Sequence, residues 1–269
     1  MEGRDAAPLS WAGAQVALEA AFFDGIRPWL AALPRETWPP LAALDALAAS
    51  AGICNTRGQP IRFVPPQDGL TSAMHYETQI ADAGRVPTRD NWHDLFNALQ
   101  WLAFPAMKAT ISRRHAELLG ARGAVEAKSR SVPRDVLTMV DESGILVASA
   151  DESLLELIRQ FRWHELFVQR RDEVKANMRF VLVGHGLLEK SLAPFIGITG
   201  KAVLLNIAAE ASLDVAAAHW LENDDHLQSS QNLAPLPLLG IPGWDARSDD
   251  PRFYANTNYF RPGRRTAAY

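Results

Sequence analysis

Two hexapeptides in this chain share one spelling, NWHDLF at 91–96 and RWHELF at 162–167. Each sets a tryptophan, a histidine, a carboxylate, a leucine and a phenylalanine in the same order, which makes His93 with Asp94 and His164 with Glu165 candidate catalytic residues. Imidazole changes charge near neutral pH and offers a neutral nitrogen to a divalent metal, while a carboxylate orients it or takes its proton. Adjacent residues do not face one another on a helix, so each histidine must meet a carboxylate from elsewhere. GHGLLEK at 184–190 adds His185 and Glu189, four residues apart and therefore on one helix face. Two ligands fall short of a site. The competing readings are helix packing and hydrogen bonding for the two WH histidines, and a helix-surface ion pair for His185 and Glu189. His115, on an apolar stripe, and His219, just before Trp220, read as packed histidines.

Anion chemistry has weaker signals. GITGKAV at 197–203 invites comparison with a phosphate loop, but Phe195 stands where that loop requires glycine and Ala202 where it requires Ser or Thr. Lys201, read as lying near a helix start, and Arg114, in a basic pair with Arg113, are the candidate anion-binding residues. Arg170 with Arg171 and the terminal FRPGRR could join them in a basic patch. Against that stands the overall balance of 27 Lys and Arg to 31 Asp and Glu, a net charge of −4, which opposes approach to a phosphate backbone. Ser143 and Ser191 lack a nucleophile-elbow pattern, and Cys54 has no thiol-catalysis context. A single cysteine forms no disulfide within the chain and cannot supply a four-thiolate zinc site, so histidines and carboxylates are the available ligands for a divalent metal.

These groups need elements to position them. At 48% hydrophobic and 22% charged residues, the composition is that of an ordinary globular protein rather than a disordered chain, a coiled-coil rod or a collagen-like fibre. The longest apolar run, 202–213, is broken by Asn206 and Glu210, so no membrane span is expected. The N-terminus, with Glu2, Asp5 and Glu19, does not read as a signal peptide; with the lone cysteine this points to the cytoplasm. Helical spacing predicts a helix over 11–33 that stops near Gly25, and another over Leu41–Ala48. The clearest helix starts at Trp92 with Asp90 as its cap and Trp92, Leu95, Phe96, Leu99 and Leu102 as its stripe; Pro105 restarts it through Leu118. Ile61–Val64 and Phe180–Val183 read as strands, and Gly120–Arg134 as a loop. VLTMVDESGILVA at 136–148 reads as a β-hairpin turning at Asp141–Gly144. Ser149 and Glu152 have capping-box spacing before a helix running toward Phe167, and a long helix is predicted within 201–223. The expected fold is α+β, a mainly helical single domain over 1–269 with that hairpin joined by further short strands. Prolines and aromatic rings over 225–269 predict an irregular tail packed on the body.

Seven stretches together resemble a bacterial family catalogued as a domain of unknown function, number 3025. They are IRFVP at 61–65, VPTRDNWHDLFNALQWLAFP at 86–105, DES at 141–143, GHGLLEK at 184–190, GITGK at 197–201, PLPLLGIPGW at 235–244 and FRP at 260–262. The resemblance covers most of the chain and implies neither a reaction nor a set of catalytic residues. From the residues alone, the expected function is a small-molecule or hydrolytic enzyme using histidine and carboxylate groups, assisted by a divalent metal. The alternatives are a non-enzymatic binding or structural interaction protein, with a homo-oligomer and an exposed patch around Trp244, Phe253 and Tyr254, and weak nucleic-acid binding through the arginine clusters.

Overall fold

The computed structural model describes residues 9–66, 73–120 and 131–264. The longer helices are α1 (Leu41–Ser50), α2 (Ala73–Ala83), α3 (Trp92–Ala103), α4 (Pro105–Gly120) and α5 (Val132–Ser143), then α6 (Glu152–Arg159), α7 (Arg171–Asn177), α8 (His185–Ser191) and α9 (Leu213–Glu222). The strands are β1 (Arg62–Val64), β2 (Arg85–Pro87), β3 (Gly144–Ser149), β4 (Arg179–Leu182), β5 (Thr199–Asn206) and β6 (Ala234–Pro237). The chain is therefore α+β and mainly helical. None of these helices is long and apolar enough to cross a membrane.

β1 and β2 form a small parallel pair, while the main sheet has the order β4-β3-β5-β6. β3 runs parallel to β5, with Ile145 opposite Ala202 and Val147 opposite Leu204, and antiparallel to β4. Every residue of β3 is buried. Its side chains alternate between two cores: Ile145 and Val147 join the larger one with α3 and α6, and Leu146 and Ala148 join a second with α5 and α9. β6 lies at the sheet edge, where Pro235 and Pro237 interrupt no inner ladder.

The expected 136–148 hairpin is not formed: 132–143 is helix α5, and 144–149 is the strand β3. Pro133 in the first turn and buried Val136, Leu137 and Val140 at helical spacing fix the helix; Gly144 leaves it with extended backbone, its amide donating to the Val140 carbonyl where a Cβ would collide with that oxygen. The helix predicted within 201–223 is likewise only half present. Its first part is β5, an inner strand whose covered faces give a continuous apolar run that periodicity alone does not separate from a helix.

Smaller differences have similar local causes. Asn91, not Asp90, caps α3, accepting from the Asp94 amide at 2.8 Å. Asp151, not Ser149, caps α6. That helix stops at Arg159, and Phe161 then enters the left-handed region at φ 59°, before a wide turn over Glu165–Gln169. The expected 11–33 helix is a run of short turns, from Trp11–Ala14 to Arg27–Ala31. Most of the predicted 120–134 loop lies outside the described residues, and Val132–Arg134 open α5.

At the other end, Tyr254, Tyr259 and Phe260 are buried. The Tyr259 hydroxyl donates to the Ile198 carbonyl at 2.7 Å, and that of Tyr254 to the Gly240 carbonyl at 2.7 Å, satisfying polar tips that burial would otherwise leave costly.

Candidate metal centre

Three helix ends meet beside β3. His93 is the second residue of α3, whose stripe of Trp92, Leu95, Phe96, Leu99 and Leu102 is wholly buried and so fixes the direction in which His93 leaves the helix. Glu142 sits in the last turn of α5, and His185 opens α8. The glycines flanking His185 bring the last two together. A Cβ on Gly184 would collide with the backbone amides of Ser143 and Gly144, and one on Gly186 would lie 2.5 Å from Glu142 Oε2. GHG is thus the spelling of a close approach between the start of α8 and the end of α5.

At this junction the Nε2 atoms of His93 and His185 lie 3.1 Å apart. Glu142 Oε1 lies 3.4 Å from His185 Nε2 and 3.8 Å from His93 Nε2. A tetrahedral ion with bonds of about 2.0–2.1 Å holds its ligand atoms roughly 3.3 Å from one another. The three atoms therefore already stand near the edge lengths of such a shell, and these residues could hold a metal ion. His185 is buried, whereas the side chains of His93 and Glu142 are 34% and 40% exposed, so the junction opens to solvent on one side.

Each histidine also has a carboxylate on its far nitrogen. His93 Nδ1 lies 3.2 Å from Glu189 Oε2, and His185 Nδ1 lies 3.8 Å from Asp141 Oδ2. The His185 nitrogen is buried and makes no hydrogen bond at that distance. A carboxylate hydrogen-bonded to Nδ1 orients the ring with Nε2 toward the common centre, as Glu189 does for His93, while Asp141 faces the same edge of His185 without a bond.

Behind the histidines runs a polar chain around the buried Lys108 and Asn97. Lys108 ion-pairs with Asp141 and donates to Asn97 Oδ1 at 2.8 Å; Asn97 Nδ2 in turn donates to the Tyr76 hydroxyl at 3.0 Å. Burial raises the Asp141 carboxyl, but the charges of Lys108 and His185 outweigh it and hold the group below its ordinary range. The hydrogen bond with His185 lowers Glu142 in the same sense. Glu77 goes the other way. Desolvation, reinforced by the Asp141 charge and opposed by Lys108 and Arg134, pushes its carboxyl up to about 8. Two nearby carboxylates thus differ in protonation because the lysine sits on one of them.

The structure brings His93, His185 and Glu189 together and leaves the other sequence candidates elsewhere. Asp94 accepts from Arg89 Nε and from the Arg89 amide, each at 2.8 Å, and stabilises the start of α3. His164 is exposed and has no partner among the described residues, and Glu165 pairs with Arg162. Lys201 lies on strand β5 rather than at a helix start, and Arg114 is taken up by Asp224. Arg113, Arg170 and Arg171 likewise carry carboxylates, from Glu222, Glu173 and Asp249. Trp244 and Phe253 are half-buried against the core and Tyr254 is buried, so these rings do not form an exposed patch.

Glu142, Asp141 and Lys108 were not singled out from the sequence. The available signal was Pro133 followed by apolar residues at 136, 137 and 140, which makes DES a helix end rather than a turn.

Fold and site together define an α+β protein with two histidines and a carboxylate converging where three helices meet. Residues 61–264 match the model of the family described as "Protein of unknown function (DUF3025)", and the chain belongs to that family. Comparisons with curated proteins and with solved structures find no match.

Proposed function

We propose that the chain is a metal-dependent enzyme of hydrolytic type acting on a small molecule, with His93, His185 and Glu142 as the ligands. The observation that carries this reading is the mutual spacing of the three ligand atoms, 3.1, 3.4 and 3.8 Å. Three protein ligands with one side open is the arrangement of catalytic rather than structural sites, which close their fourth position with a further side chain. A divalent cation held there supplies Lewis acidity and acidifies water. The protein's own groups do the positioning. Glu189 holds the His93 Nδ1 proton, Asp141 faces that of His185, and Lys108 keeps Asp141 ionised. Gly186 leaves room for the Glu142 carboxylate.

The test is metal content of the purified protein after reconstitution in turn with zinc, manganese, cobalt and ferrous iron, followed by hydrolysis of a panel of small esters and phosphate esters. The expected result is about one ion per chain, lost in His185→Ala, with turnover that disappears on chelation and returns with metal. Binding of none of the four ions, or a stoichiometry unchanged in His185→Ala, overturns the metal centre. A loaded protein inert on every substrate class leaves a metal-binding protein in place of the enzyme.

A further inference from the structure

A second cleft, of about 490 Å³, is lined by Lys201, Arg261, Arg264, Phe161 and Trp163, with Pro235 among its other lining residues. None of its lining residues, among those described, is acidic. Its cations also differ from those elsewhere on the chain. Arg113, Arg114, Arg170 and Arg171 each rest on a carboxylate, whereas Lys201, Arg261 and Arg264 have no such partner among the described residues. Three positive charges with no carboxylate on them among the described residues, set around one concavity, run against the net charge of −4 and focus a positive potential inside it.

The cations are held in place by the fold. Lys201 projects from β5 directly opposite Pro235 of β6. Arg264 donates to the carbonyls of Gln231 and Leu233, and the Arg261 backbone is tied to the core by the Trp163 indole, whose Nε1 donates to the Arg261 carbonyl at 2.7 Å. The guanidinium ends keep donors in the planar fork that matches phosphate oxygens.

Phe161 supplies the remaining feature. It is the one non-glycine among the described residues with positive φ, at 59°, held there by the left-handed cap that ends α6, where the Arg162 amide donates to the Leu157 carbonyl at 2.9 Å and the Phe161 amide to the Ile158 carbonyl at 3.1 Å. The constraint places a half-buried ring in the wall of the basic cleft, edge-on to Trp163 at 5.8 Å. A ring beside three cations is a complementary surface for a ligand that has both a planar apolar part and a multiply charged anionic part. The cleft volume is within the range that takes a ligand of nucleotide size.

We infer that this cleft binds a phosphorylated small molecule carrying a planar ring, with Lys201, Arg261 and Arg264 on the phosphates and Phe161 against the ring. The proposal is independent of the metal centre, whose ligands lie outside this cleft.

Titration calorimetry of the full chain with ADP, inorganic diphosphate and citrate tests it, repeated at two salt concentrations. ADP is expected to bind most tightly, with affinity falling as salt rises. Lys201→Gln and Arg261→Gln should each weaken it at least about tenfold, the loss of one charge-assisted contact. Phe161→Asn keeps a residue that tolerates positive φ and removes the ring, so it should weaken ADP and leave diphosphate unchanged. Circular dichroism on each variant separates lost binding from lost folding. Absence of ADP binding, ADP affinity indifferent to Lys201→Gln and Arg261→Gln, or citrate binding as tightly as ADP overturns the inference. Metal-ligand variants such as His185→Ala should leave ADP binding intact, so failure here is distinguishable from failure of the metal centre.

Discussion

Trp92 and Trp163 each donate an indole N–H to a backbone carbonyl in the first or last stretch of the described chain, Leu9 and Arg261, both at 2.7 Å. Each also stacks on the phenylalanine four residues later, Phe96 at 5.5 Å and Phe167 at 6.2 Å. To this extent NWHDLF and RWHELF are the same device, an aromatic anchor that fastens a terminal segment to the core. The histidines part company. His93 faces His185 and Glu189, while His164 faces solvent. The hexapeptide determines which residues are buried, because that follows from spacing on one turn; what the next residue meets is decided by α5 and α8, about 50 and 90 residues away in sequence for His93. A histidine beside a buried tryptophan becomes a site only when another element arrives to face it.

The comparison can be broken at its shared part first. Trp92→Ala and Trp163→Ala should each destabilise the protein by about 3–5 kcal/mol in urea denaturation, since each removes a buried ring and its anchoring hydrogen bond; a large difference between them would show that the two hexapeptides are not equivalent anchors. The unshared part comes next. His93→Ala and His185→Ala should each weaken metal binding by at least about 100-fold, beyond the effect of losing an outer partner, whereas His164→Ala should leave metal content unchanged. Glu189→Gln should cost about tenfold in metal affinity by loosening His93, and Glu165→Gln nothing, both read by competition with a chelator.

A pH dependence sets apart the polar layer that lies behind His93. Because the Glu77 carboxyl is raised from 4.5 to about 8, the folded protein keeps a proton that the unfolded chain releases across that interval. Its contribution to stability should therefore fall as pH rises from 4.5 to 8, by at most about 1.4 kcal/mol per pH unit. Glu77→Gln should remove that component from a pH series of urea denaturation curves.

Parts of this architecture were legible in the sequence for definite reasons. α3 was readable because its apolar residues fall on a strong stripe, and the shared helix face of His185 and Glu189 because they stand four residues apart. DES was misread because short polar residues before a glycine spell both a hairpin turn and a helix end; the deciding information was Pro133 and the stripe upstream. β5 was misread because burial on both faces of an inner strand erases the alternation that marks a strand. Glu142 could not be linked to His93 by any local pattern, since their meeting depends on the packing of three separate helices.

Gly144, Gly184 and Gly186 give the α5–α8 junction a consequence beyond geometry. Cys54 is the sole cysteine, so the chain has no intramolecular covalent staple. A cation shared by His93 and His185 would tie together positions 92 residues apart, doing reversibly what a disulfide does permanently. The supply of metal would then set how firmly the α3, α5 and α8 segments are fastened to one another, making the protein's resistance to unfolding a readout of the ion concentration around it.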